Sequence, residues 1–183
     1  THVRIGAACT VATFTDVSWI GLSFDYNQIA PNIPPIHNGD PRNVTSIAGS
    51  SGTLVGKPLS FTEEGTREQN RDRPLATGPL IVAFGDSMTE GYAVGNDETW
   101  PAHLERLTGR RVLNAGVRGY GLDQMVLRAE RLVAELRPST VVLAFIADDI
   151  SRTALSVRDA KGKPWYVPDG EGLALRNVPV QGT

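Results

Sequence analysis

Cysteine, histidine and long apolar runs are all scarce in this chain. The single cysteine, Cys9, excludes an internal disulfide and a multi-cysteine metal site, and leaves the redox compartment open. Three histidines, at positions 2, 37 and 103, leave few candidates for a base that works near neutral pH. No apolar run approaches the roughly 20 residues that span a bilayer. No basic stretch followed by an apolar one opens the chain, so any secretion signal is expected to be already removed or never present. With 18 Lys and Arg against 20 Asp and Glu, the net charge is −2. That gives no electrostatic case for nucleic acid or an anionic membrane. What is there, 183 residues with 40% hydrophobic and 21% charged, suits a soluble globular protein of one domain, or one domain with an appendage.

The sharpest local signal is LIVAFGDSMTEG, Leu80 to Gly91. The apolar run Ile81 to Phe84 reads as a buried strand of a parallel sheet, which helices cover on both faces. Ligands of open α/β sheets sit outside the carboxyl ends of the strands, which is where Gly85, Asp86 and Ser87 fall. Taken alone, those three residues are equally ordinary turn formers.

Texture changes on either side of residue 79. Residues 1–78 show little helical periodicity. Val3 to Phe14 and Val17 to Phe24 suggest two or three short strands, and the segments APNIPPIHNGDPRN, IAGSSGT and EEGTREQNRDRP read as loops. This part is expected to be a β-rich, loop-heavy N-terminal extension. Its Asn43-Val44-Thr45 fits a glycosylation acceptor, a triplet common by chance. From Pro79 the pattern is strand, helix, strand, helix, strand. Trp100, Leu104 and Leu107 share a helical face closed by Gly109. RVLNAGV, Arg111 to Val117, is a strand. Met125, Ala129, Leu132, Val133 and Leu136 face the core from a helix over 122–136, and Thr140 to Ile146 is a third apolar strand. Such alternation predicts a doubly wound parallel sheet with right-handed crossovers. All three strands end in residues with chemical potential: Asp86 and Ser87, then Asn114 to Gly119, then Asp148 and Asp149. Beyond Arg152, Pro164 to Val167 and Leu173 to Val178 predict a hairpin around Pro168-Asp169-Gly170. Three strands make a thin sheet, so the C-terminal part of the fold is expected to be missing from this chain.

At these residues the sequence resembles the GDSL/SGNH hydrolase family. FGDSMTEG (residues 84–91) matches the first family block, with Ser87 at the nucleophile. NAGVRGYG (114–121) matches the second, with Gly119 at the glycine that helps form the oxyanion hole. AFIADD (144–149) stands at the third, with Asp148 where the family carries asparagine. The resemblance covers about Pro79 to Arg152. It implies a flavodoxin-like three-layer α/β/α fold with a parallel sheet, with the hairpin at 161–180 as an insertion similar to one in some extracellular members. It further implies ester hydrolysis or acyl transfer through an acyl-serine, acting on a small-molecule or carbohydrate ester, with no cofactor. An extracellular or periplasmic location would suit that likeness, a cytoplasmic one being the alternative.

Two departures follow. An ionised carboxylate at Asp148 cannot donate to an oxyanion, so Asp148 helps only if protonated or if the hole works with two donors. The family's Asp-x-x-His block is absent. His103 reads as structural, while His2 and His37 lack motif context. A second polypeptide segment supplying the catalytic Asp and His is therefore expected. Among rivals, Asp86, Asp148 and Asp149 resemble a Mg²⁺ site, although capping of neighbouring turns and helices is the simpler role. Gly116-x-x-Gly119-x-Gly121 has the wrong spacing for a dinucleotide loop. A carbohydrate O-acyltransferase, and a non-catalytic carbohydrate-binding protein on the same fold, remain open readings.

Overall fold

The computed structural model describes residues 9–14, 17–22, 51–54, 56–62, 64–69, 78–158 and 161–178. His2, His37 and the Asn43 triplet lie outside them.

The centre of the fold is β5 (Ile81–Gly85), every residue of which is buried. It lies between β6 (Val112–Asn114) and β7 (Thr140–Phe145) and is parallel to both. Side chains alternate across this strand, so one run of apolar residues feeds two layers. Val82 and Phe84 pack with Met125 and Leu132 of α3 (Leu122–Leu136). Ile81 and Ala83 face the other way, against Trp100 and Leu104 of α2 (Trp100–Thr108). Helices thus flank both faces of a parallel sheet, the α/β architecture expected from the alternation.

The sheet has five strands, in the order β1-β2-β7-β5-β6. β1 (Cys9–Phe14) and β2 (Val17–Leu22) form an antiparallel pair, and β2 runs parallel to β7, with Val17 opposite Val141. Strands from the N-terminal region therefore occupy the free edge of β7. A separate antiparallel pair, β3 (Ser51–Leu54) and β4 (Lys57–Ser60), lies outside this sheet.

Helix limits follow capping chemistry. Thr99 accepts from the Ala102 N–H and Pro101 sits in the first turn of α2, while Gly109 ends it at φ +62°. Leu107, predicted on the buried face, is 84% exposed. The buried positions of α2 are Pro101, Ala102 and Glu105, in its first two turns. Glu105 accepts the Val112 N–H, tying α2 to the start of β6. The second strand ends at Asn114, earlier than the apolar pattern suggested. Beyond it, Ala115 and Val117 still donate to Ala83 and Gly85 carbonyls.

After β7 come α4 (Ala147–Arg152), the short pair β8 (Val157–Arg158) and β9 (Lys161–Gly162), and the hairpin β10 (Trp165–Asp169) and β11 (Gly172–Arg176). The buried Lys163 anchors this region. Its ammonium donates to Asp123 at 2.5 Å and to the carbonyls of Arg152 and Leu155. No helix among the described residues is long and apolar enough to cross a membrane.

Candidate active site

The carboxyl ends of β5, β6 and β7 carry the three motif loops, and the parallel register brings them together. Gly85 ends β5. A Cβ there would lie 2.6 Å from the Ala144 carbonyl oxygen of β7 and inside the Thr89 side chain. Only glycine fits, because the chain must turn tightly against its neighbouring strand. Asp86 follows as the N-cap of the one-turn helix α1 (Ser87–Glu90), accepting the Met88 N–H at 2.9 Å. Ser87 is half-buried at the first helical position, and its hydroxyl donates to Asp86 Oδ2 at 3.4 Å. Its backbone N–H is one of those a helix start leaves without an intrahelical acceptor.

The second loop is locked to the first. The fully buried Asn114 donates from Nδ2 to the Thr89 carbonyl at 2.7 Å and accepts the Gly116 N–H at 3.1 Å. A Cβ on Gly116 would lie 2.7 Å from the Thr89 carbonyl carbon and overlap the Glu90 nitrogen. Backbone meets backbone here, with no flexible side chain to yield. We expect Gly116→Ala to destabilise the fold by about 3 kcal/mol, at the upper end of overpacking costs, a loss measurable by urea denaturation. Gly119 has φ +81°, the left-handed region that glycine adopts freely. The Arg158 guanidinium lies beside it, with Nε 3.9 Å from where a Gly119 Cβ would stand.

Charges around the loops are buried and paired. Glu90 bonds Arg118 at 3.1 Å, and that guanidinium also lies over the Tyr92 ring. Burial raises the Glu90 carboxyl, against the pull of Arg118. Arg152, at the end of α4, receives the third loop. It pairs with Asp149 at 2.5 Å, with Asp148, and with Asp86 at 3.8 Å. Asp149 is fully buried and accepts the Ile146 N–H at 2.9 Å. Burial first, then the neighbouring Asp86 charge, push its carboxyl up to about 7. Burial likewise raises Asp86, countered by the Met88 N–H and by Arg152.

Of the residues singled out in the sequence, Ser87, Asp86 and Asp149 meet in one cluster. Asp148 is half exposed, with its carboxylate turned to Arg152. An anion held by a guanidinium is an acceptor, not an oxyanion donor. The three aspartates converge on a cation, an arrangement suited to ion pairing rather than to Mg²⁺. His103 is exposed on α2.

Sequence reasoning missed Arg67, in a charged segment read as loop. It is 2% exposed. Its guanidinium donates to the carbonyls of Glu90, Gly91, Val94 and Pro58 and to Asn96 Oδ1, while its N–H donates to the Asn114 carbonyl. It braces the loop behind α1, and burial lowers it to about 10. A charge run carries no sign of which member turns inward, so nothing in the pattern identified it. Arg152 gave equally little signal.

Residues 83–165 match the model of the GDSL-like lipase/acylhydrolase family. That stretch contains Ser87, Gly119, Asp148 and the loops that carry them. No curated protein matches the chain. Among solved structures, a mutant of the esterase AlinE4 is similar at 24% identity with a TM-score of 0.38. The likeness covers 45% of this chain and 48% of that one, so the chain spans about half the length of that structure. The matched stretch begins inside β5 and ends at the first residue of β10, leaving β1 to β4 outside it.

Proposed function

We propose that this chain is a serine-dependent carboxylic ester hydrolase that acts through an acyl-serine on Ser87. The observation that carries the reading is the convergence of Ser87, at the first position of α1, with the Gly119 loop, within a stretch that matches a lipase/acylhydrolase family. In the first step Ser87 Oγ bonds to the substrate's acyl carbon and passes its proton to a base. The tetrahedral oxyanion is held by the N–H groups of Ser87 and Gly119. Neither N–H has a protein acceptor among the described residues, so both are free to serve. Collapse breaks the ester C–O bond, and the alcohol leaves with the base's proton. Water then attacks the acyl-serine, the base takes its proton, and the carboxylic acid and free Ser87 result.

Asp148 stands where a third donor would be expected, but it is engaged by Arg152, which supports a two-donor hole. The base histidine is proposed to come from a segment outside this chain: the sequence has no Asp-x-x-His block, and His103, the one histidine among the described residues, is solvent-exposed on α2. A fluorophosphonate probe tests this. Weak or absent labelling of the chain alone, restored by a longer chain carrying the segment, is the expected result. Strong labelling of the chain alone would place the base within these residues and overturn the external-base proposal. No labelling in either form would leave a binding protein on a hydrolase fold.

A further inference from the structure

Arg152 is the one described side chain that touches all three motif loops. It is 3% exposed. Its Nη1 donates to the Tyr120 carbonyl of the second loop at 3.1 Å and to Asp149 of the third, and lies 3.8 Å from Asp86 of the first. Its Nη2 pairs with Asp148. The path to the nucleophile is short: Arg152 faces Asp86 Oδ2, the same oxygen that accepts the Ser87 hydroxyl. The other carboxylate oxygen, Oδ1, holds the Met88 N–H and so fixes the first turn of α1.

Two buried carboxylates, Asp86 and Asp149, flank Arg152. The Asp86 charge raises the Asp149 carboxyl, while Arg152 pulls the Asp86 carboxyl down against the effect of burial. Removing the cation between them would favour a proton on one of the pair. A protonated Asp86 would lose acceptor capacity and could no longer orient the serine hydroxyl in the same way. Other charges near the cluster are already committed. Glu90, which faces Asp86 from α1, is paired with Arg118. Lys163, whose ammonium reaches the Arg152 carbonyl, is paired with Asp123. Arg158 lies nearer Gly119 and Lys163. None of them takes the position of Arg152 between the two aspartates.

We propose that Arg152 is a positioning residue for the nucleophile, holding Asp86 ionised so that its carboxylate orients Ser87 and the start of α1. The proposal rests on the reading of Ser87 as nucleophile, and two measurements separate their failures. The first is the pH profile of fluorophosphonate labelling, in whichever form of the chain labels. Arg152→Met should move the acid limb up by at least one pH unit, and Arg152→Lys, which keeps a cation beside Asp86, should restore most of that shift. A purely structural arginine would lower the plateau and leave the limb in place. The second is hydrogen exchange at the Met88 amide, which needs no activity. It should quicken more than tenfold in Arg152→Met relative to β5 amides. If Arg152→Met does not fold, Asp86→Asn decides the matter, because an amide that cannot ionise should abolish the acid limb. Unshifted limbs overturn the proposal. If the wild type never labels, the nucleophile reading fails, and unchanged Met88 exchange would then overturn the positioning role as well.

Discussion

Ser87→Ala is expected to abolish covalent labelling by a fluorophosphonate and to lower ester hydrolysis by at least about 10³-fold, in any form of the chain that is active. The chemistry allows no substitute. Labelling is a bond to Oγ, and alanine has none. The neighbouring hydroxyl, Thr89, is buried and lies behind Gly85 and Gly116, away from solvent. The variant should fold normally, because Ser87 donates only one long hydrogen bond, to Asp86, and its removal leaves Asp86 with Met88 and Arg152. An unchanged melting temperature with lost labelling assigns the effect to chemistry. Persistent labelling in Ser87→Ala would remove Ser87 from the mechanism.

The second large effect is on stability, and its sign is opposite to ordinary acid denaturation. The Asp149 carboxyl is raised from 3.8 to about 7 in the folded protein by burial and by Asp86. Between those values the folded chain holds a proton that the unfolded chain releases. Stability from this group is therefore complete below about pH 4 and is lost as pH rises through 7. At about 1.4 kcal/mol per pH unit, the full span amounts to at most about 4 kcal/mol. Asp86, Glu90 and Asp123 are raised by burial too and act in the same direction. Glu98, lowered by the Gly95 N–H and then by Lys57, acts in the opposite one from the surface. The protein should thus be more resistant to urea at pH 5.5 than at pH 7.5. Asp149→Asn should flatten most of that slope, since the amide oxygen can still accept the Ile146 N–H but carries no titration. A midpoint that falls between pH 7.5 and 5.5 would refute the assignment.

These two predictions draw on different levels of the molecule. The places of Ser87 and Gly119, in the loops that follow β5 and β6, were legible because both sit in contiguous motifs after apolar strands. The physics is local: a buried strand must end in a turn, and a glycine that permits the turn leaves the next residues at the strand's carboxyl end. The limits of α3, the buried run of β5 and the cap at Gly109 were legible for the same reason. Period and capping are properties of neighbouring residues.

Long-range partners were not legible. Arg67 and Arg152 carry the same charge as the exposed Arg111 and Arg176, and sequence offers no way to tell a guanidinium that braces three loops from one in water. Burial is decided by what the rest of the chain places around a side chain. Leu107 shows the converse, an apolar residue at the right spacing that the fold leaves in solvent. The pairing of β2 with β7 belongs here as well, since hydrogen bonds between strands more than 100 residues apart leave no periodic trace. By itself the sequence determined the alternation of strands and helices and the Gly85-Asp86-Ser87 turn, because those follow from contacts within a few residues. Only the tertiary structure decided that Asp148 binds Arg152, that Asp86 and Asp149 share its charge, and that Arg67 holds the site from behind. Each of those depends on desolvation by distant segments, and that cost exists only once the chain has closed around the charge.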